Sequence, residues 1–290
     1  MIKEIDGKTA TCGLIGNPVE HTVSPTIHNT LASDLGINMV YVPFHVEKGQ
    51  LEAAVKGAYG LNIRGCNVTV PYKSDVIEYL SDIDDLAHKI GAVNTLVRTE
   101  GGYKGYNTDI TGLLRAMKSD NVPIENEKIV ILGAGGVGRA VAFMCAVNGA
   151  GKIYLLNRTA DKAKQVADEV NHAVGKECVT AMAMSDYTQL SENGYIVIQS
   201  TSVGLFPNAD DVVIDDNDFY KKIKAGYDLI YRPWETKFMK LVKENGGVAY
   251  NGLKMLLYQG IDAFELWNGC KVPDENALKI YELMKKSVCG

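Results

Sequence analysis

Short apolar runs alternate with amphipathic segments through the first third of the chain. TCGLIG, MVYVPFHV and NVTV have the length and residue types of strands, and residues 25–35 and 51–58 carry apolar positions at helical spacing. Leu35-Gly36 is a typical helix end. This β-α order predicts a mostly parallel sheet with helices packed on it. Further on, AVNTLVRTEGGYKGYNTD predicts two strands joined by a Gly-containing loop.

The second half repeats the alternation more regularly. Six apolar runs predict strands at 129–132, 153–156, 179–182, 195–199, 227–230 and 248–250. That number of strands, separated mainly by polar or helical segments, is typical of a dinucleotide-binding fold. The polar segment 119–127, which contains a proline, predicts a linker before them. Two amphipathic helices, 253–267 and 274–288, follow the last strand and need another part of the chain to pack on.

Composition narrows the class of protein. The 290 residues include 46% hydrophobic and 22% charged residues with a formal net charge of −5, which indicates a globular protein and disfavours a nucleic-acid surface. We see no signal peptide and no membrane-spanning stretch, so we expect a cytoplasmic protein without membrane contacts. The six cysteines lack a C-x-x-C pair and the five histidines lack metal-ligand spacing, so we expect reduced thiols and no metal.

IVILGAGGVGRAVAFMCAVNGA combines a strand, a glycine turn and a helix, with Gly133, Gly135 and Gly138 at G-x-G-x-x-G spacing. In this context the three glycines permit a tight turn, a close approach to pyrophosphate and close helix packing. The amides at the helix start favour an anion. A glycine turn without a ligand is the alternative.

The next strand ends in Asn157-Arg158-Thr159, where NAD-binding proteins normally carry an acidic residue for the ribose. A guanidinium can instead bond a 2′-phosphate, and the neighbouring amide and hydroxyl add donors. The sequence therefore favours NADP over NAD. Alternatively, Arg158 is a solvated residue that enters the next helix.

NVTVPYK places polar residues around a proline. Strand alternation puts Asn67 and Thr69 on one face, Pro71 ends the pairing, and Lys73 follows at a strand end where α/β proteins bind ligands. A strand with a wet face and a surface lysine would give the same pattern.

Three further segments are open to two interpretations. In GNPVEHTVSPTIHN, Ser24 before Pro25 predicts a helix N-cap, and Thr22 and Ser24 could also bind a carboxylate. In GAVNT and GYNTD, Asn94 and Asp109 could simply form turns. Lys73 and Asp109 would form a proton-transfer pair if the fold brings them together.

Together these motifs resemble the shikimate dehydrogenases and their quinate/shikimate relatives. The resemblance covers nearly the whole chain and includes GNPVEHTVSPTIHN, NVTVPYK, GAVNT, GYNTD, GAGGVGRA, NRT, STSVG and NGLKMLLYQG in order. It implies reversible reduction of 3-dehydroshikimate with NADPH, a step towards aromatic amino acids. It also implies an α/β fold with an NADP-binding Rossmann domain, residues 115–252, whose parallel sheet has helices on both faces. Residues 1–114 and 253–290 would form an α/β substrate domain that the C-terminal helices complete.

The resemblance also assigns residues. The implied catalytic pair is Lys73 and Asp109, and the implied substrate ligands are Thr22, Ser24, Asn67, Thr69, Asn94, Tyr231 and Gln259. The implied cofactor ligands are Gly133, Ala134, Gly135, Gly136, Val137, Gly138, Asn157, Arg158, Thr159, Thr201, Ser202 and Gly252. Whether Lys73 acts as an acid/base or as an electrostatic group stays open.

One position departs from the family pattern, because Thr22 stands where the family usually has serine. Relatives that accept quinate differ in this neighbourhood, so a quinate/shikimate dehydrogenase that uses NAD or NADP is the alternative enzyme. A non-catalytic NADP-binding module is the alternative of another class. A monomer or a homodimer fits the sequence equally well.

Overall fold

The computed structural model describes residues 5–289, and the chain divides into two compact units. The first unit extends to Leu113 and includes Leu256–Lys286, and the second spans Leu114–Met255. Within residues 5–289, every helix is too short or too polar to traverse a lipid bilayer.

A mixed six-stranded sheet forms the centre of the first unit. Its strands are β1 (Ala10–Gly16), β2 (Met39–His45), β3 (Gly65–Val68), β4 (Asp82–Ile83), β5 (Thr95–Thr99) and β6 (Gly102–Tyr106), in the order β2-β1-β3-β5-β6-β4. β1 pairs in parallel with β2 and β3, whereas β5 is antiparallel to β3 and β6. The parallel prediction therefore holds for the first three strands, and the predicted pair at 95–106 makes the remainder of the sheet mixed.

Helices α1 (Ser24–Asp34), α2 (Leu51–Gly60) and α3 (Asp85–Ile90) connect these strands, with a 3-10 helix at Asp75–Tyr79. Val55 and Val76 belong to the apolar core that includes buried strand residues such as Cys66 and Leu96. Gly36 has φ +67°, a left-handed conformation that suits glycine at the end of α1. The predicted helix end is therefore confirmed.

The second unit holds the six parallel strands expected of a dinucleotide-binding fold. They are β7 (Lys128–Leu132), β8 (Lys152–Asn157), β9 (Val179–Ala183), β10 (Tyr195–Gln199), β11 (Ile223–Asp228) and β12 (Val248–Tyr250), in the order β12-β11-β10-β7-β8-β9. The order reverses between β7 and β10, which places the crossovers of β7-β8-β9 on one face of the sheet and those of β10-β11-β12 on the other. The connecting helices are α5 (Gly136–Val147), α6 (Ala160–Val174), α7 (Asn217–Tyr220) and α8 (Lys237–Glu244). The predicted Rossmann fold is confirmed.

The prediction for β11 was misplaced, because this strand spans Ile223–Asp228 and not 227–230. Lys224 is exposed between buried Ile223 and Ala225, and Gly226 adds no apolar side chain. A charged residue and two small ones therefore obscure the apolar pattern.

The predicted linker at 119–127 is wrong. Val122 and Ile124 are 4% and 6% exposed, so this segment is part of the core. Asp120 accepts a hydrogen bond from the Tyr227 hydroxyl (3.2 Å) and contacts the Lys254 ammonium. The division between the units falls instead inside helix α4 (Thr108–Ser119), after Leu113.

The last two helices are α9 (Leu253–Asn268) and α10 (Asp274–Cys289). In the first unit, Trp267 donates its indole N–H to the Leu96 carbonyl (2.9 Å). A Cβ at Gly65 would lie 2.1 Å from the same nitrogen, so glycine is required for this close packing on β3. Helix α9 therefore packs on the first sheet, and Lys279 of α10 forms a 2.7 Å ion pair with Asp34 of α1, so both helices contact the first unit as the fold prediction states.

Candidate active site

Lys73 and Asp109 lie together in the first unit, although 36 positions separate them in the chain. The Lys73 ammonium nitrogen is 2.7 Å from Asp109 Oδ2. Their side chains are 32% and 24% exposed, so the pair is partly shielded and still reachable from solvent. An ammonium carries three donors, so Lys73 can hold Asp109 and still donate to a ligand. The fold therefore brings Lys73 and Asp109 together, which was the condition for a proton-transfer pair.

The backbone on each side of the pair is fixed. After β3, the amide of Tyr72 donates to the Thr69 carbonyl (2.9 Å), and the buried Tyr72 hydroxyl donates to the Val46 carbonyl (2.7 Å). The Lys73 carbonyl accepts from the Val93 amide (2.8 Å). Pro71 ends the ladder, and Tyr72 then anchors the turn that carries Lys73.

Asp109 is the second residue of α4, and the start of this helix is capped. Asn107 Oδ1 accepts from the Ile110 amide (3.3 Å), and Asn94 Oδ1 accepts from the Thr108 amide (2.7 Å). These bonds satisfy amides that a helix start otherwise leaves unpaired. Asn107 and Thr108 therefore position Asp109, a role that the sequence interpretation missed although both residues stand in GYNTD.

Asn94 and Gln259 each keep one polar group for a ligand. Asn94 uses only its oxygen within the protein, and its NH₂ group makes no hydrogen bond among residues 5–289. Gln259 donates to the Leu256 carbonyl (2.9 Å), which leaves its oxygen without a donor in the described chain. One residue thus offers donors and the other an acceptor, a combination that suits hydroxyl groups.

Asn67 is more committed than the motif suggested. Its oxygen accepts from the Tyr41 hydroxyl (2.9 Å), and its NH₂ donates to the Asn94 carbonyl (3.2 Å) and Thr95 Oγ1 (3.0 Å). Both amide protons are therefore used inside the protein. Asn67 positions Asn94 through these bonds. A direct contact between Asn67 and a ring hydroxyl remains a prediction, and in it Asn67 could only accept, through its oxygen. Thr69, which lies just beyond the end of β3, keeps a hydroxyl with no partner in residues 5–289.

The predicted N-cap role of Ser24 is wrong. Helix α1 begins at Ser24, and its N-cap residue is Val23, whose side chain makes no cap hydrogen bond. Thr22 Oγ1 instead accepts from the Ser24 amide (3.2 Å) and donates to Ser24 Oγ (3.1 Å). The prediction fails because Thr22, two positions earlier, accepts the bond from the first amide of the helix. The Ser24 hydroxyl also lies within hydrogen-bonding reach of the buried Tyr41 hydroxyl.

His28 and Tyr41 form a buried, stacked pair, and the Tyr41 hydroxyl bonds Asn67. The sequence interpretation missed both residues. Their rings stack with centroids 4.2 Å apart. Burial lowers the pKa of His28 to about 3 and raises the pKa of Tyr41 well above its ordinary value, so both are neutral at pH 7. The neutral Tyr41 hydroxyl can therefore remain the donor to Asn67.

In the second unit, the glycine turn has the shape that the motif predicts. Gly133 has φ +104°, and a Cβ at Gly138 would lie 1.9 Å from the Gly133 carbonyl oxygen. Apart from the neighbouring residues in the chain and the backbone of the helix itself, nothing in the described chain lies within 4 Å of a Cβ built at Gly135 or Gly136. Two glycines thus serve the turn and its packing, and the open space at the helix start can admit pyrophosphate. Ala134 is buried there, and Val137 is 46% exposed.

At the end of β8, Asn157 is bonded within the protein, whereas Arg158 and Thr159 are open to a ligand. Asn157 Oδ1 accepts from the Ala134 amide (3.0 Å), and its NH₂ donates to the Thr159 carbonyl (3.0 Å). Asn157 therefore ties the glycine turn to the next loop. Arg158 and Thr159 are exposed, and the Arg158 guanidinium has no ion pair or hydrogen bond within residues 5–289. This free cation and the glycine turn fit a dinucleotide with an additional phosphate.

The other predicted residues of this unit lie at strand ends. Thr201 follows β10, and its methyl group would be 2.7 Å from a Cβ at Gly133, whereas Ser202 is exposed. Gly252 is buried after β12, where a Cβ would lie 2.2 Å from the Leu229 carbonyl oxygen. Tyr231 is half-buried beyond β11. Their ligand contacts remain predictions.

Four of the six cysteines are buried, which confirms the prediction that most of them are. Residues 5–289 contain no group of three or more His, Cys, Asp or Glu side chains placed to hold a metal ion.

Three family models match the chain in succession. Residues 14–96 match a shikimate dehydrogenase substrate binding domain, residues 116–212 match shikimate/quinate 5-dehydrogenase, and residues 252–280 match a shikimate 5′-dehydrogenase C-terminal domain.

Individual relatives match over almost their full length. The shikimate dehydrogenase (NADP⁺) of Methanothermobacter thermautotrophicus is 38% identical over 95% of this chain and 98% of its own. A crystal structure of a shikimate dehydrogenase with NADP⁺ is 36% identical, with a TM-score of 0.87 over 97% of both chains. The Listeria monocytogenes shikimate 5-dehydrogenase in complex with shikimate and NAD is 32% identical, with a TM-score of 0.90 over 98% and 99% of the two chains.

Proposed function

The chain belongs to the shikimate dehydrogenase family, and on that premise we propose that it reversibly reduces 3-dehydroshikimate to shikimate with NADPH. This reaction belongs to the pathway that leads to chorismate and the aromatic amino acids. The observation that carries the proposal is the Lys73–Asp109 pair, whose ammonium and carboxylate are 2.7 Å apart. A binding module without chemistry has no need of a partly shielded ammonium held against a carboxylate.

The proposed reaction needs a hydride and a proton. NADPH, when bound, supplies the hydride to the carbonyl carbon, and negative charge then develops on the carbonyl oxygen. The Lys73 ammonium stabilises that charge and delivers a proton to the oxygen. Asp109 keeps the ammonium in place, and in the oxidation direction the pair takes the proton back. Reduction thus consumes the ketone, NADPH and one proton, and yields the alcohol and NADP⁺.

Polar groups around the pair would orient the ring. The Asn94 NH₂ and the Gln259 oxygen can bond ring hydroxyls as donor and acceptor, and the Thr69 hydroxyl can do either. The Ser24 hydroxyl, whose oxygen accepts from Thr22, would bond the carboxylate of the substrate. We propose Tyr231 as a further substrate contact.

Cofactor choice would depend on the second unit. We propose that the α5 amides bind the pyrophosphate and that Arg158 binds the 2′-phosphate of NADP, with Thr159 beside it. Thr201, Ser202 and Gly252 would lie at the nicotinamide end. An enzyme for quinate or NAD is the second candidate, because Thr22 carries a methyl group that serine lacks.

We also propose a cytoplasmic location. The six unpaired cysteines support a reducing compartment such as the cytoplasm. A monomer or a homodimer remains a prediction.

The reduction can be tested in its biosynthetic direction. Mixing the protein with NADPH and 3-dehydroshikimate should consume both in equal amounts and yield shikimate, identified by chromatography against a standard. Protein heated to inactivation is the control for spontaneous NADPH oxidation. Loss of NADPH without shikimate, or no loss at all, would contradict the proposed function.

A further inference from the structure

One buried carboxylate organises two loops of the second unit. Asp228, at the end of β11, is 0% exposed. Its Oδ1 accepts from the Ile230 amide (3.0 Å), and its Oδ2 accepts from the Thr236 hydroxyl (2.6 Å). These two bonds fix both ends of the segment 229–236, which carries Tyr231. The same Thr236 hydroxyl accepts from the Met239 amide (3.3 Å) and so caps α8.

Gln199 extends this arrangement to the loop after β10. This residue is 1% exposed. The side-chain nitrogen donates to the Val203 carbonyl (3.1 Å) and to Asp228 Oδ1 (3.4 Å). Its oxygen accepts from both the amide (2.6 Å) and the hydroxyl (2.7 Å) of Thr201. The Thr201 hydroxyl then accepts from the Val203 amide (3.2 Å). Every polar atom of Gln199 is thus used to shape residues 199–203.

The shaped loop lies against the glycine turn. A Cβ at Gly133 would meet the Thr201 methyl group at 2.7 Å and Ser200 Oγ at 3.1 Å. Ser200 Oγ also donates to the Leu132 carbonyl (2.8 Å). A small change in the path of residues 199–203 would therefore alter the surface next to the turn.

The burial of Asp228 carries a desolvation cost. Burial raises its pKa to about 6, against the Thr236 and Ile230 bonds, which lower it. A folded-state pKa above the ordinary value means that the carboxyl group favours folding most at acid pH. That contribution is lost as the pH rises through about 6. At neutral pH the burial of this carboxylate therefore costs stability, and its hydrogen bonds offset that cost only in part.

We infer that Gln199 and Asp228 are positioning residues for hydride transfer: they hold the loop of Thr201 and the segment of Tyr231 in the shape that orients the nicotinamide. This inference rests on the proposed function and adds to it. Neither side chain touches substrate or cofactor in this account, because both are buried. Their action passes through the Thr201 amide and hydroxyl and through the Ile230 amide.

The test uses Asp228→Asn, which keeps the shape of the side chain and removes its charge, in the full-length protein. Because misplacement of a reacting group by about 1 Å can cost on the order of 100-fold, we expect kcat for shikimate oxidation to fall by at least about tenfold. The apparent melting temperature at pH 7 should be equal to or above that of the wild type. Affinity for 2′-phospho-ADP-ribose, which lacks nicotinamide, should be unchanged.

Two readouts separate positioning from general damage. The primary deuterium isotope effect on kcat, measured with shikimate deuterated at the reacting carbon, should rise because hydride transfer becomes slower than the other steps. Amide hydrogen exchange of Thr201 and Val203 should accelerate in Asp228→Asn and in Gln199→Met. The exchange measurement needs no activity, so it tests the loop even if the wild-type protein fails to oxidise shikimate. That failure would contradict the proposed function and not this inference.

Asn171→Ala is the matched control in the same unit. Asn171 is a buried amide of α6 that accepts from the Cys178 (3.0 Å) and Val179 (2.9 Å) amides. This variant should melt earlier while kcat and the isotope effect stay at wild-type values. Wild-type turnover in Asp228→Asn, or a turnover loss that comes with lower stability and weaker 2′-phospho-ADP-ribose binding, would overturn the inference.

Discussion

Lys73→Ala is expected to lower kcat for shikimate oxidation by about 10²–10⁴-fold, the usual range for losing a positioned proton donor or acceptor. The alanine variant has no group within reach to stabilise negative charge on the substrate oxygen or to carry its proton. Asp109 remains, but without the ammonium it is an unpaired negative charge beside a developing negative charge. Initial rates at saturating shikimate and NADP measure the effect.

Stability should change little in this variant, because Lys73 is partly exposed and its ion pair is open to water. Lys104→Ala is the matched control. Lys104 forms a 2.8 Å ion pair with Asp82 in the same unit, and its side chain is 31% exposed. That variant should keep wild-type turnover. Near-normal turnover in Lys73→Ala would end the catalytic assignment.

Arg158→Ala is expected to raise KM for NADP by about 10–100-fold, the equivalent of losing charge-assisted hydrogen bonds worth about 1.5–3 kcal/mol. KM for NAD should stay near its wild-type value, because NAD lacks the phosphate that the guanidinium would bind. The guanidinium is exposed and unpaired within the described chain, so its removal leaves no buried group without a partner. Rates with each cofactor at fixed shikimate give both constants.

The control for this second variant is Lys240→Ala, which removes an exposed positive charge from α8 of the same unit. It should leave both KM values unchanged, which shows whether net charge alone alters NADP binding. An equal rise in KM for NADP and NAD in Arg158→Ala would show that Arg158 does not recognise the 2′-phosphate.

Local chemistry made much of the second unit predictable. The glycine spacing anticipated the φ of +104° at Gly133 and the tight packing at Gly138, because these depend on residues close in sequence. The presence of six strands and the dinucleotide-binding fold followed from the number and spacing of the apolar runs. β11 was harder to place because Lys224 and Gly226 hide its buried pattern.

Long-range hydrogen bonds were beyond the sequence. The separation of Lys73 and Asp109 depends on how β3 and α4 are placed by the fold. Sequence also could not distinguish an amide that faces a ligand from one already satisfied inside the protein. Asn94 keeps its NH₂ free, whereas Asn67 and Asn157 use both their oxygen and their NH₂ within the protein. Gln199 and Asp228 gave no signal at all, because their importance lies in the bonds between two neighbouring strand ends.

The most direct test of the central claim is a set of four initial rates of cofactor reduction, with shikimate or quinate crossed against NADP or NAD at matched concentrations. We predict that shikimate with NADP gives the highest rate by a wide margin, with Thr22 tolerated in place of serine. Equal or faster reaction with quinate or with NAD would contradict that account and favour a quinate/shikimate dehydrogenase. No rate in any of the four mixtures would contradict catalysis itself.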